Sequence, residues 1–200
     1  MKRPSLKRLL AVTGASILAG VVVGVPLAYR SHTSTKYRNF RVVEPGVLYR
    51  SGQMSATGLA STVEQYGIKT VISLRELRDD GKPSPDSDEV TYCHEHGVRH
   101  VILSPAKWVS VDGKPAPVEP NVAAFLRILD DPASHPVLVH CFAGIHRTGG
   151  YVSLYRMEYD GWTAKDAIDE MKSMGTIRTT FDEEIPDYLR AYVRRAGRGK

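Results

Sequence analysis

PVLVHCFAGIHRTGG, residues 136–150, divides into three pieces in chain order. Residues 136–139 are a short, fully apolar run, which predicts a buried strand. Residues 140–150 are mostly polar or small and predict a loop. Residues 151–159 carry the pattern of a helix. A tight loop between a strand and a helix N-terminus turns its backbone amides toward one point, where they and the helix dipole stabilise an anion. Gly144 permits the backbone angles such a turn needs. Arg147, six residues after Cys141, can grip two oxygens of a tetrahedral oxyanion with its planar fork. The same positive field acts on the Cys141 thiol. A cysteine pKa of about 8.5 falls to roughly 3.5–7.5 in such surroundings, which leaves a thiolate nucleophile at neutral pH. Thr148 is placed to hydrogen-bond the sulfur and help it leave, His140 to order it through a ring nitrogen, and His146 to meet the arriving substrate.

Elements of both kinds surround this stretch. Residues 42–51 predict a strand and turn broken at Pro45-Gly46, residues 55–66 a helix closed by Gly67, and residues 68–74 (IKTVISL) a β-branched buried strand. A charged loop then leads to a helix over 86–96 and a strand over 98–103. A long loop through Pro117 precedes a helix over 119–131, with Pro near its start and one apolar face. Thr163 with Asp166 resembles a capping box opening a helix to about 174, and a last helix covers 183–195. Strands alternating with helices predict an α/β sandwich around a central, mostly parallel sheet.

Charge removes one class of function. Residues 1–41 carry eight Lys or Arg and no acid, whereas residues 42–200 carry 19 basic and 22 acidic residues, a net of −3. The overall +5 therefore belongs to the leader and not to a nucleic-acid groove. Lys2, Arg3, Lys7 and Arg8 precede an uncharged run from Leu9 to Ala28, which is about 30 Å long if helical and hence about one hydrocarbon thickness. This predicts an N-terminal hydrophobic helix, acting as a membrane anchor or signal segment over residues 1–30, then a linker over 31–40 and one catalytic domain over 41–196. The basic start favours a domain held outside the cytoplasm; secretion after signal cleavage is the alternative. Two cysteines, Cys93 and Cys141, exclude a disulfide scaffold and a four-cysteine zinc site, and the histidines show no metal-ligand spacing. No cofactor is expected.

HCFAGIHRTG fits the HC-x5-R-[ST] signature, and FRVVEPGVLYRSGQ and YGIKTVISLRE agree with it. Over residues 39–175 the chain resembles the cysteine-based tyrosine and dual-specificity phosphatases, in their bacterial tyrosine phosphatase-like, atypical dual-specificity branch. The resemblance implies that family's fold, a metal-free, two-step hydrolysis through a cysteinyl-phosphate, and the roles given above for Cys141, Arg147 and Thr148. Phe142, Ala143, Gly144, Ile145, His146 and Arg147 would then bind the phosphoryl group. The family supplies a general acid from a loop upstream, and Asp112 lies in the long Pro-rich loop at a similar separation; Asp112-Gly113 is equally a turn signal, and Glu119, Asp130 and Asp131 are rivals. Arg50 and Arg75 stand where they could face phosphate or form structural ion pairs. Phosphotyrosine proteins or membrane-associated phosphorylated substrates are expected, with phosphoinositides, other phospholipids or inositol phosphates as the alternative. Because Phe142, Ala143 and Ile145 are not basic, highly charged inositol phosphates are disfavoured. A non-catalytic phosphate-binding module is the alternative of another class. Cys93 is expected to be a buried inert thiol, unless it pairs reversibly with Cys141.

Overall fold

A computed structural model describes residues 22–23, 36–76, 86–175 and 183–195. In chain order the elements are β1 (Arg41–Glu44), β2 (Leu48–Ser51), α1 (Ala56–Tyr66), β3 (Thr70–Ser73), α2 (Ser87–Glu95), β4 (Arg99–Ile102), α3 (Glu119–Asp130), a 3-10 turn (Pro132–Ser134), β5 (Val137–His140), α4 (His146–Tyr159), α5 (Ala164–Ser173) and α6 (Glu184–Ala191). The sheet order is β1-β2-β5-β3-β4; β1 joins β2 antiparallel and every other pairing is parallel. The strand and turn expected over 42–51 are two strands folded back on each other at the Pro45-Gly46 break, where Gly46 at φ 74 reverses the chain.

Strand β5 lies at the centre, and all four of its residues are buried, as both faces of a parallel sheet must be. Alternation sends Leu48, Ile72, Val137 and Val139 to one core with Phe125, Leu126, Val152 and Leu154 of α3 and α4. Tyr49, Val71 and Leu138 face the other core, with Leu59 of α1 and Cys93 of α2. Burying each such side chain contributes about 1.5–3 kcal/mol. The α1 helix opens on Ser55, whose side chain accepts from the Gly58 amide at 3.2 Å, and Thr163 does the same for Asp166 at the start of α5, as the capping box predicts.

One boundary differs from expectation in a way that matters. Helix α4 begins at His146, five residues before the predicted start, so Arg147 and Thr148 sit in its first turn. Gly149 and Gly150 argue against helix by propensity, yet tertiary packing requires them there. A Cβ on Gly149 would stand 2.5 Å from Met171 Cγ, and one on Gly150 2.8 Å from Ile185 Cγ2. The glycines let α5 and α6 close over the helix start.

Apart from Val22 and Val23, which are helical, the anchor or signal segment of residues 1–30 lies outside the described residues, as does the linker up to residue 35. No helix among the described residues is long and apolar enough to cross a membrane.

Candidate active site

Strand β5 delivers Cys141 to the carboxyl edge of the sheet, where ligands of parallel α/β folds gather. Cys141 is buried, and its sulfur accepts from the Gly144 amide at 3.2 Å. Burial alone would push the thiol pKa up. The Thr148 hydroxyl, the amides of Thr148 and Gly144, and the charge of Arg147 outweigh it, so the thiol is held below its ordinary value. The structure brings together Cys141, Gly144, Arg147 and Thr148 as the spacing predicted.

The loop amides converge because the loop carbonyls are held the other way. The Phe142 carbonyl accepts from the Gln53 amide at 2.9 Å, and the Ala143 carbonyl from Asn39 Nδ2 at 2.8 Å. The Gly144 carbonyl accepts from Arg50 at 2.8 Å. The Ile145 carbonyl takes the Gly149 amide at 2.8 Å and a longer contact from Arg50 at 3.5 Å. Four consecutive peptide oxygens therefore point outward, and β1, β2 and their flanks supply most of the donors. Gly144, at φ 73, lies so close to Ser51 and Gly52 that no side chain fits between them.

Arg50, expected to face phosphate or to form a structural ion pair, forms no ion pair among the described residues. It is 2 % exposed and is the clamp on the loop carbonyls. Arg75, by contrast, forms the ion pair anticipated for it, to Asp86 at 2.7 Å, and also donates to Gln53 at 2.7 Å. Arg147 donates to the Leu74 carbonyl at 2.6 Å, which fixes the plane of its guanidinium at the mouth of the loop. His146 is half-buried at the first position of α4. Phe142 is 55 % exposed, and its ring carries the guanidinium carbons of Arg38 and Arg75 at 4.5 and 5.6 Å from its centroid.

The loop between β4 and α3 also emerges at the carboxyl edge. Its base is anchored: Trp108 is buried edge-on against Tyr151 and Tyr188, Asn121 Nδ2 donates to the Ser104 carbonyl at 2.7 Å, and the Val118 amide donates to the Lys107 carbonyl at 3.1 Å. Its tip is a Val111–Lys114 bridge carrying Asp112 at φ 52, exposed and without a hydrogen bond or ion pair among the described residues. The turn reading of Asp112-Gly113 therefore holds, and the tip is a carboxylate on an anchored arm.

Two rivals are displaced. Asp130 and Asp131 end α3, beside the start of β5 and so at the opposite edge of the sheet from Cys141. There Asp130 pairs with Arg195 at 2.8 Å, and Asp131 caps the 3-10 turn through the Ala133 amide at 3.0 Å. Glu119, at the start of α3, lies near Tyr188, whose phenol is pushed up by burial and then by that carboxylate. Cys93 is fully buried in the core on the other face of the sheet, and burial with nearby Glu89 pushes its thiol up to about 12. That is the inert-thiol reading, and it leaves Cys93 a poor partner for a disulfide with Cys141.

Sequence reasoning missed a buried network beneath the loop. His140 Nε2 meets Glu89 Oε1 at 2.7 Å, and His100 Nε2 meets the same oxygen at 2.9 Å. His100 is therefore a largely buried partner of Glu89. The available signal was Glu89 spaced four residues before the apolar Cys93, which puts an acid on the buried face of α2.

Over residues 30–185 the chain matches the family model described as DSP-PTPase phosphatase fused to NAD+ kinase. It is 28% identical over 192 residues to the dual specificity protein phosphatase TpbA of Pseudomonas aeruginosa, covering 91% of this chain and 78% of that protein. The crystal structure of TpbA superposes with a TM-score of 0.58 at 26% identity, covering 78% of this chain and 85% of that one. The chain is 31% identical over 136 residues to the inositol diphosphatase DSP1 of Oryza sativa subsp. japonica; this is 66% of the chain but only 54% of that protein, so the chain spans about half of that relative's length. The core catalytic domain of the PP-IP phosphatase SIW14 from S. cerevisiae shares the fold, with a TM-score of 0.59 at 21% identity and coverage of 78% and 85%. A thiol at the end of the central strand, an amide-lined loop and an arginine in the next helical turn thus coincide with a family match over most of the chain, which belongs to the cysteine-based dual-specificity (DSP-PTPase) phosphatases.

Proposed function

We propose that this chain hydrolyses phosphate monoesters through a Cys141-phosphate intermediate, without a metal. The observation that carries this reading is the sulfur, its thiol held down in pKa, inside a loop whose carbonyls are all tied outward. The thiolate attacks phosphorus in line with the leaving oxygen, while the loop amides and Arg147 hold the other oxygens. Asp112, on its anchored arm, protonates the leaving group and then activates water against the thiophosphate. Thr148, next to the sulfur, stabilises it as it departs.

The substrate reading is a phosphotyrosyl protein or another membrane-associated phosphoryl group. An exposed Phe142 beside Ala143 and Ile145 offers an aryl or acyl group an apolar rim. The alternative, a phosphoinositide, another phospholipid or an inositol phosphate, gains support from Arg38 and Arg75 beside that ring. The relatives divide in the same way, one described as a dual specificity protein phosphatase and one as an inositol diphosphatase. Turnover of an aryl phosphate by the purified protein tests the activity, and its absence with phosphate still bound would favour a binding module. Rates on a phosphotyrosyl peptide, a phosphoinositide vesicle and an inositol polyphosphate decide the class. Placement at a membrane, with the domain outside the cytoplasm, belongs to the same reading and rests on residues 9–28; membrane fractionation and protease protection of the full chain test it.

A further inference from the structure

His140 precedes the nucleophile and is 1 % exposed, and both of its ring nitrogens face acceptors. Nε2 lies 2.7 Å from Glu89 Oε1 and Nδ1 lies 3.3 Å from the Cys141 carbonyl oxygen. With Glu89 ionised, as its two histidine partners favour, a neutral imidazole has one N–H and satisfies one of these contacts, and only the doubly protonated ring satisfies both. Glu89 is itself buried, on α2, at 6 % exposure. A carboxylate in that position is stable only if paired.

We propose that Glu89 is a positioning residue for the nucleophile: its carboxylate keeps His140 doubly protonated, so that the ring holds the Cys141 carbonyl and keeps a positive charge beside the thiolate. This deepens the phosphatase reading and rests on it. The network supports the charge assignment. Alternation places Ser51, His140 and Ser73 as register neighbours on one face of the sheet, beneath α2. Ser73 donates to Asp86, which also holds Arg75, so one acid of α2 is matched by a cation from the end of β3. Glu89 is left for the two histidines. Burial would raise its pKa, but the charges and hydrogen bonds of His140 and His100 hold it at about 2. Burial would lower that of His140, but Glu89, then Asp86, then the Cys141 carbonyl raise it. The groups facing the pair are thus Asp86, Glu89 and Cys93 from α2, His100 from β4, Arg75 beyond β3, and Cys141 with Arg147 and Arg50 around the loop. A cation beside the thiolate lowers the thiol pKa, and its loss together with the Glu89 charge leaves the more distant acid's effect cancelled and the nearer cation's effect gone.

The test uses the intact protein and does not depend on turnover. Nitrogen-15 spectra of the parent should show both His140 ring nitrogens protonated at neutral pH; a neutral ring overturns the proposal, whatever the variants do. The pH midpoint of Cys141 alkylation by iodoacetamide, with modified peptides identified by mass spectrometry, should rise by about half a unit in Glu89→Gln, a rate about threefold slower below the midpoint. His140→Asn should raise it at least as far, because the cation goes while the Glu89 charge stays, and the double variant should return to the rise of Glu89→Gln alone. Asp88→Asn, an exposed acid one residue away, should leave the midpoint in place. An unmoved midpoint in folded Glu89→Gln, or an equal rise in Asp88→Asn, overturns the role. Failure of the parent to hydrolyse any phosphate ester, with the ring charged and the midpoint responding, defeats the phosphatase reading and supports this one.

Discussion

Gly144→Ala isolates the closest approach in the loop. The residue sits at φ 73, where a side chain costs about 1–2 kcal/mol. The added Cβ would stand 2.3 Å from the Gly52 nitrogen, 2.4 Å from the Ser51 carbonyl carbon and 2.6 Å from its oxygen. All three are backbone atoms, so no side chain can swing aside. Moving the nearest contact from 2.3 to an ordinary 3.4 Å requires the phosphate loop and the end of β2 to part by 1.1 Å. Overpacking of this kind costs about 1–3 kcal/mol, so the variant should lose about 2–5 kcal/mol in urea unfolding. A displacement of about 1 Å in groups that hold the reacting atoms costs roughly 100-fold in rate. Gly67→Ala is the internal control. Its φ of 61 carries the same conformational cost, but nothing lies within 4 Å of the added carbon, so it should lose about 1 kcal/mol and no activity. Gly144→Ala within threefold of the parental aryl phosphatase rate would refute the claim that this contact shapes the loop.

Cys141→Ser should abolish turnover while still binding phosphate, because the amides remain and the anionic nucleophile does not; activity within tenfold of the parent removes Cys141 from the role. Arg147→Lys should lose about 100-fold, since a lysine keeps the charge but cannot hold the Leu74 carbonyl and two phosphate oxygens together, and a near-parental rate sinks the argument. The pH profile of kcat/KM should have an acid limb below the ordinary cysteine value, because the nucleophile acts once deprotonated and its pKa is held down. Asp112→Asn should remove the alkaline limb, with a smaller loss on substrates whose leaving groups need no proton; an unchanged profile moves the acid to Glu119.

The sequence by itself determined the strand-loop-helix order around Cys141, the α/β class and the choice of Cys141 as candidate nucleophile, because each depends on local chemistry. A run such as PVLV is apolar on both faces, and a thiol, glycine, arginine and threonine within eight residues share one loop whatever surrounds them. The general acid was narrowed only by topology, which sends Asp130 and Asp131 to the far edge of the sheet and the Asp112 loop to the near one. The start of α4 was misjudged because helix propensity penalises Gly149 and Gly150, while the reason for them, the approach of Met171 and Ile185, lies in distant segments. Arg50 was open between phosphate and an ion pair, and nothing local marked Asn39 or Gln53, because their partners lie about ninety residues or more away in the chain, in the phosphate loop. Glu89 was not singled out from the sequence, and only the packing of α2 on the sheet set it against His140. A loop's chemistry is written in its own residues, but the groups that hold its carbonyls outward and its histidine charged are chosen by tertiary contact, because burial creates both the need for a partner and the place for it.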